Sequence, residues 1–121
     1  LVIMLAKKDH EIIAATLSLK NQHTLFGRYW GAKEDYDFLH FELCYYQGIE
    51  YCIKHKFTCF HAGAQGEHKI MRGFEAVLTY SNHYFSHPDF SRAIGSFFQQ
   101  ERQQMLHYQQ QCLSLLPFKK E

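Results

Sequence analysis

The chain has 121 residues, 46% of them hydrophobic and 17% aromatic, and a formal net charge of +1. That length holds one domain with a real core. The near-neutral charge excludes broad electrostatic binding of nucleic acid while leaving room for a local basic patch. No apolar run is long enough to span a membrane, and no secretory pattern is read. Only two prolines are present, Pro88 and Pro117, which argues against long disordered linkers. Cys44, Cys52, Cys59 and Cys112 form no regular framework, so free thiols in a reducing, cytoplasmic setting are expected. The chain does not begin with Met, and Leu1 opens directly on a strand-like run, which suggests a fragment or a processed form.

Residues 2–7 are apolar and read as a buried strand. After the Asp9-His10 turn, residues 12–19 alternate Thr16 and Ser18 against Leu17 and Leu19, a second strand. A turn at Asn21, Gln22 and His23 leads to a third, residues 24–30, rich in aromatic and β-branched side chains. Three strands joined by short polar turns predict an antiparallel meander. Residues 31–37 break the pattern, with Asp35 or Asp37 as the expected cap of a helix over residues 38–55. Leu39, Leu43, Tyr46, Ile49 and Ile53 follow its three-to-four spacing. Gly48 weakens that helix and permits close packing. Residues 57–61 read as a fourth strand and residues 76–85 as a fifth with imperfect alternation. Ser86 or Asp89 is expected to cap a long last helix, with Pro88 tolerated in its first turn. Its glutamine-rich outer face reads as solvated surface, and residues 117–121 as a frayed tail. The prediction is an α+β fold of about five mostly antiparallel strands, a central helix and a long C-terminal helix.

The densest chemistry lies in residues 63–74, where Gly63, Gly66 and Gly73 surround Gln65, Glu67, His68, Lys69 and Arg72. Glycine admits positive φ and close approach of a ligand to the main chain. A basic, glycine-rich loop after a strand can converge free N–H groups on an anion. The spacing is neither a Walker loop nor a dinucleotide fingerprint. A surface loop of turn glycines and solvated charges is the plain alternative.

Glu42 and Glu50 fall roughly 80° apart around the central helix, on the arc carrying Leu39, Leu43, Tyr46 and Ile53. A carboxylate on an apolar arc must find a partner, face a cleft or bind a proton, and such a group can serve as a general base. Pairing with Arg28, Lys69 or Arg72 is the structural alternative. Cys52, His55, Cys59 and His61 invite a zinc reading, but their placement across a helix end and a strand is unlike a structural zinc knuckle. Buried thiols and satisfied histidines are the default there, and no metal is expected. Cys44 with His40 one turn away lacks a third orienting group. His83, beside Tyr80 and Ser81, reads as a cleft residue or a structural hydrogen bonder.

Several blocks match a known set in order: Gly27-Arg28-Tyr29-Trp30-Gly31, Leu39-His40-Phe41-Glu42, the run from Cys44 to Tyr51, the run from Gly63 to Lys69, Arg72-Gly73-Phe74 and Thr79-Tyr80-Ser81. Over residues 24–101 they resemble the C-terminal part of the FemAB-like N-acyltransferases of bacteria, a GNAT-fold group linked to peptidoglycan biosynthesis or recognition. The resemblance implies a GNAT-like mixed sheet flanked by helices. It also implies that residues 1–121 are a single domain, the C-terminal portion of a longer acyltransferase. The implied reaction passes an acyl or aminoacyl group from an activated donor to an amine, on a small molecule or a peptide. The acetyl-CoA loop of the wider group has at most a remnant at Gly31-Ala32-Lys33, so both acyl-CoA and aminoacyl-tRNA stand as donors. Such transfer needs a base, for which Glu42, Glu50, His40 and His68 are the candidates. Gly63, Gln65, Gly66, Lys69, Arg72 and Tyr80 are the candidates for holding anion and substrate. A non-catalytic module that recognises an anionic cell-wall peptide is the competing reading, and a homodimer through an exposed sheet edge is a third possibility.

Overall fold

The computed structural model describes residues 1–64 and 66–118. The backbone forms two compact units, residues 1–65 and residues 66–121. The first is a four-stranded sheet with a helical segment on one face. Strands β1 (Val2–Lys8), β2 (Glu11–Lys20) and β3 (Thr24–Ala32) make the expected antiparallel meander. Asp9 and His10 turn the first hairpin, both at positive φ, as the right-handed twist of the flanking strands requires of a two-residue turn. At the second turn, Asn21 Oδ1 accepts from the N–H groups of His23 (2.9 Å) and Thr24 (2.7 Å). β4 (Cys59–His61) joins the sheet beside β3 and parallel to it, in the order β1-β2-β3-β4. The connection between these parallel strands is helical, since a hairpin cannot reverse direction twice.

That crossover is built from α1 (Leu39–Phe41), a π-helical stretch (Glu42–Tyr46) and α2 (Gln47–Lys54), which follow without a break. The buried side of the sheet carries Val2 and Met4 on β1, Ala14, Thr16 and Ser18 on β2, and Leu25 on β3. Leu25 is wholly buried and forms a core with Val2 and Cys52, against which Met4, Tyr51, Phe57 and Phe60 pack. Gly48 faces this layer. A Cβ placed on it would stand 2.5 Å from the ring of Phe60, so the expected close packing is realised at that position.

Two expectations for the helix change. The cap is Phe38, not Asp35 or Asp37; it sits at φ 63 with no side-chain cap hydrogen bond. The buried arc consists of Leu43, Tyr45, Gly48 and Cys52, whereas Tyr46 and Ile53 are 45% and 73% exposed. A π turn takes in an extra residue, so a 3.6-residue count carried across it from Leu39 to Ile53 ends on the wrong side.

The second unit holds a 3-10 turn (Glu67–Arg72) and α3 (Pro88–Ser114). Pro88 opens α3 as expected, but the capping position is His87 and neither Ser86 nor Asp89 caps it by a side chain. Asp89 pairs instead with Arg92 within the first turn. The expected fifth strand is absent: residues 74–85 form neither strand nor helix, and among the described residues the sheet has four strands. Their imperfect alternation offers no face to bury, and they hold to α3 by side chains. Gln109 donates to the carbonyl of Ala76 (2.9 Å), and Phe85 meets Phe90 edge-on at 5.1 Å. The class is α+β, as predicted.

Candidate functional site

The first unit concentrates its chemistry where β3 outruns β4. Pairing between the two covers only Thr24, Leu25 and Phe26 against Cys59, Phe60 and His61, yet β3 continues to Ala32. Among the described residues no strand pairs with residues 28–32 on the side away from β2. The register of β2 and β3 slips by one residue between Gly27 and Tyr29, and a bulge of this kind re-aims the backbone locally. A Cβ placed on Gly27 would stand 3.7–3.8 Å from the backbone of His61 and Ala62, which is where the two strands part. Gly31 faces open space, with nothing within 4 Å of the position a Cβ would take. In a β-helix-β unit, ligands collect at the carboxyl ends of the parallel strands, and this notch lies at the carboxyl end of β3.

His40 stands over it. Its imidazole meets Trp30 of β3 edge-on at 5.4 Å and Tyr45 of the π stretch at 5.5 Å, with Phe41 also at 5.5 Å. A half-buried imidazole held by three aromatic rings has a fixed orientation, the first requirement of a proton-transfer group. π-helical turns recur at functional sites because they set side chains out of the regular phase. Trp30, Phe41 and Tyr45 were absent from the sequence-based candidates. The signal for Trp30 was its place between Arg28-Tyr29 and Gly31 at the end of a strand; nothing in the pattern marked the π turn.

Glu42 and Glu50 are both exposed. Glu42 Oε1 accepts from Gln47 Nε2 at 2.8 Å. The apolar setting expected for these carboxylates is therefore not formed, for the phase reason given above. Gly63, at φ 83, donates its N–H to Nδ1 of His61 (3.3 Å). Burial pushes the Cys52 thiol up, and the nearby charge of Cys59 pushes it further. Among the described residues no group of three or more His, Cys, Asp or Glu side chains is placed to hold a metal ion.

The remaining candidates belong to the second unit, except Gln65, which lies outside the described residues. The basic run is a helical turn and not an open loop. Lys69 N–H bonds to Gly66 O (3.0 Å), Gly73 N–H to Ile70 O (2.9 Å) and Phe74 N–H to Lys69 O (3.2 Å). These amides are consumed within the turn, since a buried or half-buried N–H takes the nearest carbonyl. The His68 ring lies against the α-carbon of Gly66, and Arg72 Nη1 donates to the carbonyl of His68 at 2.8 Å. Tyr80 is exposed. Tyr108 donates to Glu67 Oε1 at 2.8 Å, and that bond, with a second to Cys112, pushes its hydroxyl up to about 12.

No helix among the described residues is long and apolar enough to cross a membrane. No curated protein and no solved structure matches the chain. A family model described as FemAB-like, peptidoglycan biosynthesis/recognition, matches residues 1–120. That span extends the likeness from residues 24–101 to nearly the whole sequence, meander and long helix included. The chain belongs to the FemAB-like family of peptidoglycan biosynthesis and recognition.

Proposed function

We propose that the chain takes part in moving an acyl or aminoacyl group from an activated donor to an amine of a cell-wall precursor, within a GNAT-like framework. The observation that carries this is the unpaired edge of β3 over residues 28–32 with His40 beside it. An extended donor arm, of an acyl-CoA or of the 3′ end of an aminoacyl-tRNA, would lie along that edge and bond to its free N–H and C=O groups. N–H donors aimed at the acyl carbonyl would stabilise the oxyanion as the amine attacks. The amine must lose a proton, and His40 is the favoured base because its ring is oriented and half-buried; as the C–S bond to CoA or the C–O bond to the tRNA breaks, that proton passes to the departing thiolate or 3′ oxygen. Glu42 and Glu50 rank after His40. Gly63 would flank the donor. Loss of a positioned base costs about 10²–10⁴-fold. His40→Gln is therefore expected to lower transfer by that factor, with Glu42→Gln and Glu50→Gln having smaller effects. Full transfer by His40→Gln would reject the assignment.

The second reading is a recognition module that binds an anionic cell-wall peptide without chemistry. The exposure of Glu42 and Glu50 favours it. It predicts saturable peptide binding that Lys69→Ala and Arg72→Ala abolish, with no turnover of any acyl donor.

A further inference from the structure

The second unit carries a cluster that acyl transfer at His40 leaves unused. Ser81 Oγ lies 2.8 Å from Nε2 of His83, two residues on. Two aromatic rings hold that imidazole. Phe85 stacks on it at 6.3 Å with the planes 15° apart, and Phe98 of α3 lies at 5.6 Å. Phe85 in turn meets Phe90 at 5.1 Å, and Phe97 lies beside Phe98 at 6.3 Å. Phe90 and Phe97 remain 52% and 55% exposed, and Ser81 and His83 are themselves open to solvent. A loop serine ordinarily bonds to nearby backbone. Ser81 instead bonds to an oriented imidazole beside open apolar surface.

We propose that Ser81 is a nucleophile and His83 its general base, and that the pair hydrolyses esters of apolar acyl groups. An activated hydroxyl needs a base within hydrogen-bond reach and a third group that orients the base. The rings of Phe85 and Phe98 take the orienting part that a carboxylate plays in a triad. With its own proton on Nδ1, the imidazole accepts the Ser81 proton at Nε2. Oγ bonds to the acyl carbon, the C–O bond to the alcohol breaks, and the alcohol leaves with that proton. Water then attacks the Ser81 ester and gives a proton to the same nitrogen. His83 returns it to Oγ as the carboxylic acid departs. Among the described residues the N–H groups of Ser81 and Asn82 make no backbone hydrogen bond, so they are available to the oxyanion. Phe90 and Phe97 offer the acyl chain an apolar surface, and contact removes both from water.

An alkyl fluorophosphonate tests the nucleophile in the whole chain, because Oγ displaces fluoride and keeps the phosphonyl group. Peptide mass spectrometry should place the adduct on Ser81, and Ser81→Ala should carry none there. His83→Gln should slow labelling by about 10²–10⁴-fold, the share of a positioned base. Both side chains are exposed, so the circular dichroism of each variant should match the parent's. The parent should also cleave p-nitrophenyl butyrate faster than p-nitrophenyl acetate, and Ser81→Ala should lose that cleavage. No adduct on Ser81, or labelling of His83→Gln at the parent rate, overturns the proposal. Equal rates on butyrate and acetate overturn the apolar substrate class.

Discussion

The ring of Phe60 on β4 rests against the α-carbon of Gly48 on α2, close enough that no side chain fits between them. This contact sets how near the crossover helix lies to the sheet, and so where the notch at the end of β3 opens. Gly48→Ala gains about 1 kcal/mol of helix propensity but forces overpacking that costs about 1–3 kcal/mol. Phe60 is itself packed against the core, so the expected outcome is a net loss of about 1 kcal/mol in urea unfolding. Phe60→Leu in the same chain should recover most of it. Equal stability of Gly48→Ala and the parent would show that the ring yields freely.

Phe38 holds a left-handed conformation (φ 63) while 79% exposed. A bulky side chain at positive φ is strained, and this one gains little from burial. Phe38→Gly is expected to stabilise the fold by about 1 kcal/mol, read as a raised urea midpoint at constant slope. If it also lowers activity, the ring meets substrate.

Tyr108 titrates late, at about 12, because its proton is held by the Glu67 carboxylate and then by Cys112. The folded value lies above the ordinary one near 10. The bond's contribution is therefore complete below about pH 10 and is lost as pH rises through about 12. Absorbance at the phenolate band should include a late component from Tyr108. Tyr108→Phe should remove it, and Glu67→Gln should bring it back toward the ordinary range. A titration unchanged by Glu67→Gln would contradict the assignment.

Much of the first unit was legible because its signals are local. The alternation of Thr16 and Ser18 against Leu17 and Leu19, with turns at Asp9-His10 and Asn21, specifies the meander. Gly48 pointed to a close contact, and Phe60 supplies it. The site was less legible. The π turn hides in an ordinary-looking helical spacing, so Glu42 and Glu50 were assigned an apolar arc they do not occupy, while His40 gained its setting from Trp30, ten residues back. Anion-holding amides were expected from Gly63 to Gly66, whereas the amides that the turn Glu67–Arg72 uses for itself are those of Lys69, Gly73 and Phe74. Residues 76–85 have strand composition without a partner, which composition alone does not reveal.

Trp30 is the chain's single tryptophan, and it lies on β3 at the open edge, against His40. Its emission therefore reports on the notch directly. Titration with acyl-CoA and with aminoacyl-tRNA should give a saturable change for one of them. No response of Trp30 to either donor up to about 1 mM would contradict a donor lying along β3.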